Sequence, residues 1–402
     1  MARVGLLIPS LNNGGAERVV SRLSTLLAMD NEIYIIVYDD TNICYKFCGT
    51  LINMNSKAVD GNFIKKAILP VVRTHKLRKI IKEKNLEIVI SFMTSPNIVN
   101  ILAKKKSCKT VISIRNYLNL ELQKNRLDQI KNIIMKKLYS KADVVVPVTD
   151  EIRDDIIDTY SLNPNKVHTI YNPYDINSIN TEKNIVIEND EHLSFMKTGR
   201  CIISVGRMTH QKGFWHLIKA FKIVHDKHPD TKLVIVGRNE LGDKVQNLIS
   251  DLKLEDKILL TGNQKNPFAY VQQSKIYVLS SLYEGFPNAL VEAMACGKPV
   301  VAANCKSGPK EILSENYKEY TSVSNVELCE FGVLVPEMSQ EENWNADDLE
   351  LCEKTLAEGI ITMLESDELQ KKYSVKSIER ASEFSYDVCK TKYQNIIDRK
   401  AW

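Results

Sequence analysis

Residues 276–299 read IYVLSSLYEGFPNALVEAMACGKP, and this stretch decides the fold. Ile276–Ser280 is a short apolar run with β-formers. Pro287 and Asn288 then start a helix whose apolar face (Leu290, Val291, Met294) suits packing on a sheet, and Gly297-Lys298-Pro299 stops it. Another apolar run, Pro299–Ala302, follows at once. The same alternation extends backward through strands expected at Cys201–Val205, Lys232–Val236 and Ile258–Thr261, with helices expected at Trp215–His225, Lys244–Leu252, Pro267–Gln273 and Ala289–Cys296. An alternating βα series argues for a parallel sheet.

The first half repeats the pattern. Strands are expected at Val4–Ile8, Ile33–Val37, Ile88–Ser91, Thr110–Ile114, Val144–Val148 and Val167–Tyr171, and helices at Ala16–Met29, Thr74–Lys84 and Leu127–Ser140. At Asn172-Pro173 the alternation lapses into a polar stretch, the signature of a boundary. The reading is an α/β protein of two Rossmann-like, doubly wound parallel-sheet domains facing across a cleft. The first is expected over residues 1–175, a linker over 176–198 and the second domain over 199–381. Ligands of such sheets bind where strand ends meet helix starts.

The bulk figures agree. A chain of 402 residues suits two cores, and 44% apolar with 26% charged residues is a globular composition. No run of about 18 apolar residues is present, so no membrane span is expected. The opening RVGLLIP is too short for a secretory signal and runs into a polar Gly-Gly turn, so it is read as a buried first strand. The nine cysteines are scattered, with only Cys44 and Cys48 close together and no zinc spacing, which fits a reduced cytoplasmic compartment. The net charge is +4, yet residues 61–141 hold 19 Lys or Arg against 4 acids, or +15, leaving 4 − 15 = −11 elsewhere. Such asymmetry points to an anionic partner. An acidic phospholipid surface is preferred and no nucleic acid is expected; lysines on solvated faces pointing different ways are the alternative.

Three segments carry chemistry. After the first strand comes Asn12-Asn13-Gly14-Gly15-Ala16-Glu17-Arg18, where paired glycines let backbone and a helix start approach an anion; a plain tight turn is the alternative. After Cys201–Val205 come Gly206-Arg207 and Lys212-Gly213, two fixed cations able to hold a diphosphate, or else an exposed salt-bridging loop. In the opening stretch, Glu284 precedes the helix and Glu292 lies one turn into it. The backbone N–H groups near Asn288, Ala289 and Leu290 make an anion site with a carboxylate on either side. Those carboxylates suit sugar and ribose hydroxyls, or are capping groups.

Together these segments resemble a retaining glycosyltransferase of family 4 with the GT-B fold, of the type serving bacterial surface polysaccharides and lipid-linked glycans. The glutamate–seven residues–glutamate motif stands as Glu284 and Glu292. The likeness covers nearly the whole chain, including Gly-Gly-Ala-Glu-Arg, Gly206-Arg207 with Lys212-Gly213, Val236-Gly237 and Cys305–Ile312. The resemblance implies that Arg207 and Lys212 bind the diphosphate of a nucleotide-sugar donor, by preference a UDP-sugar, with Gly14, Gly15 and Gly206 bringing backbone against it. Glu292 would hold the ribose; Glu284 and the backbone from Phe286 through Asn288, Ala289 and Leu290 would hold the transferred sugar and distal phosphate. The family works with retention and without a metal, the leaving diphosphate helping to deprotonate the incoming hydroxyl on the same face. The closing helix, 382–402, would cross back onto the first domain, and hinges are expected there and at Asn172–Asp175.

The chain departs from the family in one place. Where many members carry a histidine near the reacting sugar, strand Thr110–Ile114 ends in Arg115-Asn116. Arg115 is a candidate contact to donor or acceptor phosphate, or it pairs with a neighbouring carboxylate. Acceptors in the family bind the first domain, so the +15 window fits a lipid-linked glycan acceptor such as an undecaprenyl diphosphate sugar, at the inner face of the plasma membrane. Candidate membrane contacts are Lys65, Lys66, Arg73, Lys76, Arg78, Lys79, Lys104, Lys105 and Lys106. A sugar-nucleotide epimerase of the same fold and a non-catalytic nucleotide-sugar or membrane-binding protein are the other readings.

Overall fold

A computed structural model describes residues 1–12, 14–57, 63–117, 134–320 and 322–398, the side chains of 63–67 excepted. The chain divides into two compact units, Met1–Pro173 with Tyr386–Trp402, and Tyr174–Ser385.

The first unit is a six-stranded parallel sheet, β1 (Arg3–Ile8), β2 (Glu32–Val37), β3 (Thr50–Asn53), β4 (Ile88–Phe92), β5 (Lys109–Ile114) and β6 (Val144–Pro147), in the order β3-β2-β1-β4-β5-β6. Among its described helices are α1 (Gly15–Leu27), α2 (Phe63–Glu83), α3 (Thr94–Ala103) and α4 (Asp150–Tyr160). Strand alternation sorts the side chains onto two faces. Val4, Leu6 and Ile8 pack with Val20, Leu23 and Leu27 of α1, while Leu7, Ile36 and Val89 pack with Leu77 and Ile81 of α2 and Val99 of α3.

The second unit contains α5 (Ile176–Glu182), α6 (Asp190–Lys197), β7 (Arg200–Val205), α7 (Phe214–Lys227), β8 (Thr231–Val236), α8 (Asp243–Asp251), β9 (Ile258–Gly262), α9 (Pro267–Gln273), β10 (Ile276–Leu279), α10 (Asn288–Ala295), β11 (Val300–Ala303), α11 (Pro309–Leu313), β12 (Glu327–Leu328), β13 (Val333–Val335), α12 (Leu351–Glu365) and α13 (Asp367–Ser382). The order is β12-β13-β11-β10-β7-β8-β9, parallel except for the β12–β13 pair. The chain then closes with α14 (Tyr386–Ile397), whose Cys389, Tyr393, Ile396 and Ile397 complete the first unit's core beside α1.

Several expectations need correction. Residues 176–198 form α5 and α6 of the second unit, not a linker. Part of the polar stretch is a cap, Asn189 accepting from His192 N at 2.9 Å, and Asp175, just before the stretch, caps α5 by accepting from Ser178 N at 2.9 Å. Val167–Tyr171 is no strand. It donates to β6 through His168 N and Ile170 N and forms a single bridge, Val145 to Val167, because Pro147 has no N–H to return. Helix α2 begins at Phe63, well before Thr74, and runs through Pro70. The first half of the helix expected at Leu127–Ser140, up to residue 133, lies outside the described residues; 134–139 is helical.

A buried ionic cluster ties α7 to α12. Glu353 is fully buried; its Oε1 accepts from His216 Nδ1 at 2.9 Å and lies 3.5 Å from Lys219 Nζ. Its Oε2 accepts from the Glu350 backbone N–H at 2.9 Å and so caps α12. Removing one partner of a buried ion pair strands the others without counter-charge. Glu353→Ala is expected to cost about 3–5 kcal/mol of stability in urea unfolding; an unchanged midpoint and slope would show that the cluster contributes nothing.

Candidate active site

Among the parallel strands of each sheet the order reverses once, and the loops leaving the two strands at that point diverge and leave room for a ligand. In the second unit the reversal falls between β7 and β10. The loops after those strands carry Gly206-Arg207…Lys212-Gly213 and Ser281–Asn288.

These loops, far apart in sequence, are locked together. Lys212 Nζ lies 2.5 Å from Glu284 Oε1, and Ser281 Oγ donates to the same oxygen at 2.7 Å. Glu284 is buried, so lysine and hydroxyl offset the lost hydration of its carboxylate. Gln211 Nε2 donates to Tyr283 O at 2.9 Å, and Leu282 N to Gln211 O at 2.8 Å. Gly213 sits at φ 57° with the Ser280 carbonyl so close that a Cβ would fall 2.5 Å from it. At the end of β8, Gly237 is equally constrained: at φ 152° a Cβ would meet Gly206 O at 1.9 Å, so glycine alone lets β8 end against the Gly206 turn. Arg207 remains 57% exposed, 3.6 Å from Glu240 Oε1. Arg238, with Arg207 adding to it, holds the Glu240 carboxyl below the ordinary range.

A third segment, after β11, closes around the Glu284 loop. Glu284 N donates to Lys306 O at 2.8 Å, Ser307 N to Glu284 O at 2.9 Å, and Ser307 Oγ to Gly285 O at 2.9 Å. Gly308, at φ 102°, lies where a Cβ would come within 2.6 Å of Pro287 Cδ. Helix α10 starts with Asn288, Ala289 and Leu290, with no side-chain cap and no acid in its first turn. Its end therefore carries uncompensated partial positive charge. Glu292 is buried one turn on. Burial, then Glu284 and Glu292, pushes the Tyr277 hydroxyl far above the usual phenol range, so both carboxylates bear on one point of β10. Leu290 and the Phe286 ring are buried in packing, and Leu290 N donates to Pro287 O at 3.1 Å within the first turn. Sequence reasoning gave no role to Ser281, Gln211, Arg238, Glu240 or Ser307. Gln211 and Ser307 pair across loops, which depends on strand order, whereas Ser281 and Arg238 pair within their own loops with Glu284 and Glu240.

The first unit holds the remaining candidates. Its sheet reverses between β1 and β4, and Gly14-Gly15 follows β1. The start of α1 is covered by its own Glu17: a Cβ on Gly14 would come within 2.2 Å of Glu17 Oε2. An incoming phosphate would have to displace that carboxylate. Arg115, just past β5, donates to Asn172 Oδ1 and stands 6.0 Å over the Phe92 ring. The basic window is only partly free surface. Arg73 is buried, stacks 3.7 Å over Tyr38 and donates to Ser56 O, so it is a structural residue and not a membrane contact. Lys76 caps the Met54 and Asn55 carbonyls, Lys104 pairs with Asp143, Lys79 lies 3.7 Å from Glu83, and Arg78 and Lys105 each donate to a backbone carbonyl. The side chains of Lys65 and Lys66 lie outside the described residues. Lys106 is exposed.

Among the described residues, His216, Glu350 and Cys352 place ligand atoms within 4.8 Å of one another. Each His216 nitrogen already faces an oxygen, Glu353 Oε1 at 2.9 Å and Ser339 O at 3.0 Å, so a metal there would have to displace one of these contacts.

The chain matches the family described as Glycosyltransferase Family 4 over residues 13–178 and that described as Glycosyl transferases group 1 over residues 186–329. It is 32% identical to an uncharacterized glycosyltransferase of Methanocaldococcus jannaschii, across 81% of this chain and 82% of that one. It is 30% identical, over 96% of each chain, to a Campylobacter jejuni N-acetylgalactosamine-N,N'-diacetylbacillosaminyl-diphospho-undecaprenol 4-alpha-N-acetylgalactosaminyltransferase. Among solved structures, Anabaena HepE in complex with UDP-glucose superposes with a TM-score of 0.74 at 18% identity, covering 99% of this chain and 100% of that one. With two parallel-sheet units, motif loops at the strand-order reversal and relatives of this kind, the chain belongs to the family 4 glycosyltransferases and has the GT-B fold.

Proposed function

We propose that this glycosyltransferase moves a hexose or N-acetylhexosamine from a UDP-sugar to a lipid-linked glycan acceptor, with retention of anomeric configuration, in cell-surface glycan synthesis. The observation that carries the donor half is the Lys212–Glu284–Ser281 cluster beside the uncapped start of α10. Lys212 and Arg207 neutralise the diphosphate as it leaves, the interaction that strengthens most in the transition state. As phosphate takes Lys212, the Glu284 carboxylate turns to sugar hydroxyls. The N–H groups of Asn288 and Ala289 meet the distal phosphate, with Leu290 N closing the turn behind them on Pro287 O, and Glu292 meets the ribose. Gly206 keeps the backbone close, and Gly14, Gly15 and Arg115 of the first unit contribute to donor or acceptor phosphate. The UDP-glucose complex of the Anabaena neighbour and the undecaprenol-linked name of the Campylobacter relative support the donor and acceptor classes.

We place the protein at the inner face of the plasma membrane. On α2, Ile68, Val71 and Val72 are exposed and share one helical face with His75, Lys79 and Lys82, an apolar end running into a basic one. Among the described residues, no helix is long and apolar enough to cross a membrane. Vesicle flotation should show binding to phosphatidylglycerol-containing bilayers and little to neutral ones; equal binding to both would remove the charge argument.

A nucleotide diphosphate sugar at about 100 times its dissociation constant should stabilise the protein by about 2.7 kcal/mol. UDP and UDP-hexoses should give this shift, and Lys212→Ala and Glu292→Ala, each read against its own baseline, should lose it. A response confined to GDP or ADP sugars would overturn the uridine preference, and undiminished shifts in both variants would overturn the site. The cations here belong to the chain, so transfer should persist in EDTA and the product should keep the donor's anomeric configuration by NMR. Activity lost to EDTA and restored by Mg²⁺ or Mn²⁺ would contradict this.

A further inference from the structure

The chain passes between its units twice, at Pro173–Tyr174 and at Ser385–Tyr386. On the side of the second unit these passages are one piece of structure. Tyr174 N donates to Phe384 O at 3.1 Å, and Tyr174 and Ser385 form an isolated parallel bridge. Tyr174 is completely buried. Its ring lies 6.4 Å from that of Phe286, which stands edge-on to Phe384 at 5.3 Å. The Tyr174 hydroxyl donates to Asn288 Oδ1 at 2.6 Å. Arg380, 5.1 Å from the Phe384 ring, donates to the Glu311 and Ile312 carbonyls and thereby holds α11, whose leading Gly308 touches Pro287.

Phe286, Pro287 and Asn288 are the residues that lead into α10. A buried phenol needs a partner for its O–H, and here the partner is the first residue of that helix. Holding the carbonyl end of the Asn288 amide fixes the flip of the group at the start of the helix. The aromatic contacts fix the preceding turn from the other side.

We propose that Tyr174 is a positioning residue for the nucleotide-sugar: it sets the start of α10 in its donor-binding geometry and ties that geometry to the two crossing segments. Occupation of the donor site is then felt at 172–175 and 383–386 without any further element in between. This rests on the reading that α10 begins the donor site.

Tyr174→Phe keeps the ring and removes the hydroxyl, so folding is preserved while the tie to Asn288 is cut. Loss of one neutral hydrogen bond should raise the UDP dissociation constant and the donor KM about five- to tenfold, with kcat little changed. Asn288→Ala should do the same, and the double variant should be no worse than the poorer single one. Hydrogen exchange adds a second readout: UDP should slow exchange at 172–175 and 383–386 in the wild type and lose that effect in Tyr174→Phe. A Tyr174→Phe protein with wild-type UDP affinity and wild-type exchange protection, while Glu292→Ala has lost UDP, overturns the proposal and leaves the donor site standing. Additive losses in the double variant also overturn it. Failure of the wild type to bind any uridine nucleotide overturns the donor site and this inference together.

Discussion

Parallel strands have to be joined by crossovers, so every strand of such a sheet ends at the same edge. That constraint organises everything described above. Gly206, Gly237, Ser280 and Asn304 follow β7, β8, β10 and β11 at one edge of one sheet. Where the order reverses, between β7 and β10, no crossover fills the space between the departing loops. The glycines serve this geometry: Gly213, Gly237 and Gly308 stand where any Cβ would collide with a neighbouring loop. The Lys212–Glu284 pair is what those close approaches make possible. It keeps a lysine in place that would otherwise roam in solvent, and it makes arrival of a diphosphate an exchange of one anionic partner for another, with much of the ordering entropy already lost on folding.

What the sequence disclosed follows from which signals are local. Buried parallel strands are continuous apolar runs, so β1, β2, β4, β5, β7, β8 and β10 were legible to within a residue or so. Strand β3 was not, because TLIN is short, half-exposed and at the sheet edge. Helix α3 was hidden by Thr94-Ser95-Pro96-Asn97, which reads as a turn although proline in a first helical turn costs little. The motif residues were visible because their chemistry is concentrated at fixed spacing. Their partners across the loops were not: Gln211 and Ser307 acquire meaning only when β7, β10 and β11 lie side by side, and Tyr174 only when two distant crossings pair.

Charge was legible as a sum and illegible as a surface. The +15 window treats every lysine and arginine alike, whereas Arg73 is folded under Tyr38, Lys76 closes a turn and Lys104 holds Asp143. A guanidinium stacked on an aromatic ring and bonded to a carbonyl is a core residue with a charge, and its composition-level signal is the same as that of a solvated one.

Helix α14 bears on how this protein is made. Cys389, Tyr393, Ile396 and Ile397 belong to the first unit's core, alongside strands laid down in the opening residues. Synthesis on the ribosome runs from the N-terminus at about 5–20 residues per second, and domains fold as they emerge. The first unit therefore waits, with that face of α1 and its sheet uncovered, through all the time needed to translate Tyr174–Ser385. The second unit, which is continuous in sequence, is able to finish first. A nascent chain of this architecture carries exposed apolar surface over most of its elongation, and that exposure is built into its topology.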